Sequence, residues 1–103
     1  MLGGVSFAVL AEPNRRAILD LLREESLAVT AMVDALDLSQ PLVSKHLRVL
    51  REAGLVDVQI DAQRRIYSLR LEPLKELDAW LAPYRERWTT ALDRLDQHLE
   101  EHP

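Results

Sequence analysis

Residues 39–51 run Ser-Gln-Pro-Leu-Val-Ser-Lys-His-Leu-Arg-Val-Leu-Arg. On a helix, Val43, Leu47 and Leu50 share one face, while Pro41, Lys45, Arg48 and Glu52 share the opposite one, flanked by Gln40 and Ser44. That outer face is short, polar and basic. A Gln amide pairs bidentately with adenine, Lys and Arg reach guanine or a phosphate, and a Ser hydroxyl serves either. The chemistry on offer is recognition of a nucleic acid duplex. An amphipathic helix with a merely solvated face has the same pattern, so the helix alone leaves both readings open.

These side chains need elements to hold them. Ser39 supplies an N-cap oxygen, Pro41 fits a first turn and Gly54 is a natural C′ stop, which predicts a helix over about 40–53. Before it, Asp37-Leu38 reads as a tight turn, and a helix over 29–36 points Met32, Val33 and Leu36 inward behind a poor N-cap at Ala28 or Val29. Two helices precede that one. The first is short, from about Ser6 to Ala11; the second opens at Pro13, carries the stripe Ala17, Ile18, Leu21 and Leu22, and ends near Glu25-Ser26.

After Gly54 the period changes. Leu55, Val56, Val58 and Ile60 predict one strand and Arg65 to Leu69 another, joined through Asp61-Ala-Gln-Arg64. Arg64 and Arg65 then stand at the tip of a β-hairpin, where they meet a phosphate backbone or a minor groove, or serve solubility alone. From Glu72-Pro73 the helical period returns. Leu74, Leu77, Leu81, Tyr84, Trp88, Leu92, Leu95 and Leu99 recur every three or four residues, a seam like that of a coiled coil. Pro83 lies inside it and predicts a kink or two abutting helices. The order is α-α-α-α-β-β-α, a mainly α fold with a small β-hairpin. It reads as a winged helix-turn-helix, with the helix-turn-helix at about 29–53, the wing at about 55–70 and C-terminal helices at about 73–100. The terminal helices expose more apolar surface than a short domain can cover. A homodimer interface is therefore expected through Leu77, Trp80, Leu81, Tyr84, Trp88, Leu92, Leu95 and Leu99.

Bulk properties bound this reading. The 103 residues are 48% apolar and 29% charged, which suits a single domain whose modest core gains from dimerisation. With no cysteine, disulfides, thiolate chemistry and cysteine metal sites are excluded, and a reducing cytoplasm is expected. No apolar run approaches the ~20 residues that span a bilayer, and Met1 to Val5 lacks the basic start of a signal peptide. The net charge is −4, yet residues 39–71 are +3 between flanks of −3 and −4. A positive middle suits a protein that touches phosphate only with its centre, although chance variation in surface charge gives the same result. Three glycines make no phosphate-binding loop, and three separated histidines offer no nucleophile–base pair, so no enzyme is expected.

Three stretches are specific enough to resemble a family. Leu10-Ala-Glu-Pro-Asn-Arg-Arg-Ala-Ile-Leu19, the block from Leu38 to Val56 and Arg64-Arg-Ile-Tyr67 resemble the ArsR family of winged-helix repressors. The tail Leu74-Lys-Glu-Leu-Asp-Ala-Trp-Leu81, with Tyr84 and Trp88, resembles its SdpR-type subgroup. The resemblance covers about residues 7–99 and implies a homodimer built from terminal helices that blocks a promoter, often its own. It implies DNA contact by Gln40, Ser44, Lys45, His46 and Arg48; Ser39, Pro41, Arg51, Arg64 and Arg65 complete the expected interface. His46 lies near the edge of the buried face and reads as a phosphate or packing residue.

Many relatives sense metals through cysteines in the helix that here reads Val29-Thr-Ala-Met-Val-Asp-Ala-Leu36, and none is present. Asp96-Gln-His98 matches half of another family metal motif, and the chain ends before the other half. His98, Glu101 and His102 fall within one turn and form a weak zinc candidate against a solvated helix end. No cofactor or metal effector is expected. The leading expectation is a cytoplasmic, nucleoid-associated dimer that binds double-stranded DNA at a palindrome. A winged-helix protein–protein interaction module is the alternative.

Overall fold

The computed structural model describes residues 7–101, with Glu101 described by its backbone alone. Ser6 and His102 fall outside that range. Helix α1 (Phe7–Ala11) is too short to hold itself, and its last carbonyls accept hydrogen bonds from Arg16 Nη1, which reaches Leu10 and Ala11 at 2.9 Å. Helix α2 (Pro13–Glu24) begins at Glu12, whose carboxylate accepts from the Arg15 amide at 3.1 Å. Its Ile18 and Leu22, one turn apart, point into the core.

Strand β1 (Leu27–Ala28) was not expected. It pairs antiparallel with the hairpin's second strand, Leu27 opposite Tyr67 and Ala28 opposite Ile66. Helix α3 (Val29–Leu36) follows at once, without a side-chain cap at Ala28, and ends on Asp37 in the left-handed region at φ 54°. Helix α4 (Gln40–Glu52) starts with Ser39 Oγ accepting from Leu42 N at 3.3 Å, and Pro41 occupies its first turn. It stops in a Schellman arrangement: Leu55 N donates to the Leu50 carbonyl and Gly54 N to the Arg51 carbonyl, each at 3.0 Å. Gly54 supplies the φ of +77° that this reversal requires.

The hairpin consists of β2 (Val56–Asp61) and β3 (Arg64–Leu69), so its loop is Ala62-Gln63 and its strands run one residue further towards the tip than expected. The sheet order is β1-β3-β2. Ile18, Leu22, Met32, Val43, Leu47, Leu50, Leu55, Val56 and Tyr67 form one core that joins α2, α3 and α4 to the hairpin.

Of the two alternatives at Pro83, a kink or two abutting helices, the second does not hold: α5 (Glu72–Glu101) is one helix of 30 residues with Pro83 inside. Arg85 reaches back across that turn to the carboxylate and carbonyl of Asp78. Only its first turns pack: Leu74 joins the core margin, and Phe7 meets the Trp80 ring edge-on at a centroid distance of 5.4 Å. At about 1.5 Å per residue the helix is about 45 Å long, which accounts for the elongated 63 × 30 × 21 Å shape.

Candidate nucleic-acid interface

The interface candidates stand on two elements that the core aims the same way. On α4, burying Val43, His46, Leu47 and Leu50 leaves Gln40, Pro41, Ser44, Lys45, Arg48, Arg51 and Glu52 exposed. The N-cap bond uses a lone pair of the Ser39 hydroxyl and leaves its hydrogen available as a donor. Arg48 Nε donates to Glu52 Oε1 at 3.2 Å, one turn on, in an open ion pair. No side-chain partner engages Lys45 or Arg51 among the described residues.

Alternation separates the two wing arginines. Val56, Val58 and Ile60 pair with Leu69, Tyr67 and Arg65, so these six share one sheet face. Near the root this face is core, with Val56 and Tyr67 buried; towards the tip it runs past the core and ends in Ile60, 75% exposed, and Arg65. Arg64 belongs to the opposite face and pairs loosely with Asp61 across the turn, at 3.7 Å. A groove of about 420 Å³ runs between helix and hairpin, walled by Gln40, Ser44, Arg48 and Arg51 on one side and Arg65, Tyr67 and Val29 on the other. Val29 and Tyr67 were not singled out from sequence, because their apolar and aromatic character signals only core.

His46 departs from the expected set. It is 8% exposed, with Nε2 3.7 Å from Glu12 Oε2 and Nδ1 buried without a partner. It ties α4 to the start of α2 and offers nothing to the outer face. The residues expected at a dimer interface divide along α5. Leu77 and Leu81 are half-buried, while Trp80, Tyr84, Trp88, Leu92, Leu95 and Leu99 are exposed in this single chain. No cluster of three metal-type ligands occurs among the described residues. Of the zinc candidates, His98 has interactions of its own, while the Glu101 side chain and His102 lie outside the description. No described helix is long and apolar enough to cross a membrane.

Comparison with known proteins decides the family. The sequence profile of the bacterial regulatory protein arsR family matches residues 12–58, from the α2 cap into β2. A solved ArsR-family transcriptional regulator, RHA00566, superposes with a TM-score of 0.70 at 30% identity, over 81% of this chain and 86% of that one. The chain belongs to the ArsR family. Its fold is therefore the winged helix-turn-helix of ArsR regulators, and the family's named members are regulators of transcription rather than enzymes. The repressor SmtB of Mycobacterium tuberculosis is 42% identical over 66 residues, 64% of this chain. The chain spans 49% of SmtB, about half its length. The repressor SdpR of Bacillus subtilis is 29% identical over 75 residues, 73% of this chain and 83% of that one. The ArsR profile stops within β2, so membership itself says nothing about Arg64, Arg65 or the apolar face of α5.

Proposed function

We propose that this ArsR-family chain is a DNA-binding transcriptional regulator that works as a homodimeric repressor on a palindromic operator, its own promoter included. The observation that carries the reading is the shared cationic surface. Arg48 and Arg51 on α4 and Arg65 on β3 line one groove, with Lys45 exposed on the same helix and Arg64 exposed at the hairpin tip, in a chain whose net charge is −4. A negative protein with a local positive patch attracts a polyanion there and keeps it off elsewhere. Helix α4 enters the major groove, and the hairpin lies over the adjacent backbone or minor groove. The names SmtB and SdpR, both repressors, support the direction of control.

The second copy docks on α5. Trp80, Tyr84, Trp88, Leu92, Leu95 and Leu99 form a stripe exposed among the described residues, touched only at Trp80 by Phe7, and a two-fold axis buries each stripe against its equivalent. Two α4 helices then meet successive major grooves about 34–36 Å apart.

Selection of bound duplexes from a random pool tests the reading. A two-fold symmetric motif, bound with an affinity that falls steeply with salt, is the expected result. Recovery of no duplex at low salt overturns it and leaves the protein–protein interaction module in its place.

A further inference from the structure

A helix in a major groove and a hairpin at the neighbouring minor groove have one sugar–phosphate strand between them. The groove between α4 and β3 is where that strand passes. Its walls are suited to an anion. Arg51 and Arg65 face it from opposite sides, and no side-chain hydrogen bond or ion pair occupies either of them among the described residues. Tyr67 reaches it from the core. The residue is 8% exposed and belongs to the apolar cluster, it lines the groove, and no side-chain partner takes up its hydroxyl among the described residues. The hydroxyl is not fully enclosed, so it is a donor open to a ligand on the groove wall. Ser44 adds another hydroxyl along the same wall.

We infer that Arg51, Arg65 and the Tyr67 hydroxyl clamp a single backbone phosphate of each operator half-site. This rests on the DNA-binding reading above and adds a residue, Tyr67, and a division of labour to it. Tyr67 is held by the core and by its pairing with Leu27 and Val58 on either side, so it fixes the phosphate's position rigidly. The two arginines supply the charge. The phosphate sets the register in which Gln40, Lys45 and Arg48 meet base edges.

The test uses a duplex recovered by the selection described above, each backbone phosphate replaced in turn by an uncharged methylphosphonate. Thermal unfolding checks that every variant folds as the parent does. For the parent, one position per half-site carries the largest penalty, about 10-fold for a lost charge-assisted hydrogen bond. Tyr67→Phe and Arg51→Gln each weaken the unmodified duplex by about the same factor, and each reduces the penalty at that position alone. The salt response separates them. Arg51→Gln and Arg65→Gln each lower the slope of log affinity against log salt by about 0.9, whereas Tyr67→Phe, which removes no charge, leaves it unchanged. Should the penalty survive undiminished at every position in Tyr67→Phe and Arg51→Gln, the clamp is overturned while DNA binding stands. Should the selection recover no duplex, the reading beneath it fails as well.

Discussion

At the scale of single residues, the outer face of α4 was legible because side-chain chemistry and helical spacing both appear in the sequence. What each side chain is already doing was not. Glu52 shows the difference: it holds Arg48 at 3.2 Å beside the surface meant for phosphate. Glu52→Gln frees that guanidinium and removes a repelled carboxylate, so duplex binding should tighten by about 0.3–1 kcal/mol, the scale of an exposed ion pair. Titrations of both proteins at low salt measure this, and the gain should shrink as salt rises. Arg48→Ala should relax preference at particular base pairs by about 1–3 kcal/mol, whereas the clamp residues should weaken all sequences alike. A panel of single-base operator variants separates the two patterns. His46 was the residue that spacing could not settle. It sits at the margin of the apolar face, and only the approach of Glu12 from another helix shows that it turns inward.

At the scale of elements, the boundaries that carry a chemical signal were readable. Ser39 with Pro41, and Gly54 after the last turn, mark α4 to within a residue of where it lies. Gly54 does more than end a helix, because the direction in which β2 leaves depends on its left-handed backbone. Gly54→Ala finds room at the added carbon, 3.6 Å from Pro73 Cγ, so the cost is one of conformation and not of collision. A loss of about 1–2 kcal/mol is expected by urea or thermal unfolding. Strand β1 was not readable. Two residues carry no alternation, and Leu27-Ala28 becomes a strand only because Tyr67 and Ile66, some forty positions later, offer it a ladder. The continuity of α5 was open in the sequence for a related reason: a proline costs about 3 kcal/mol in a helix interior and is met either by a kink or by a break, and spacing alone does not choose between them.

At the scale of the whole molecule, every buried side chain among the described residues lies between Ile18 and Tyr67, and the described side chains in the last turns of α5 are exposed. On the proposed assembly, replacing Leu92 and Leu95 with Glu should yield monomers in sedimentation, and affinity for a two-fold site should fall to that of one half-site. A stable dimer after that change would remove α5 from the interface. Among the described residues the final half of α5 is exposed, and a helix without tertiary packing is marginal in water. On the proposed dimer, its order is tied to the supply of partners. Below the dissociation constant of the pair, the number of competent binders grows with the square of the number of chains made. Under the proposed dimeric reading, occupancy of the promoter responds to synthesis as a threshold rather than a ramp, and dilution through cell division alone would release it.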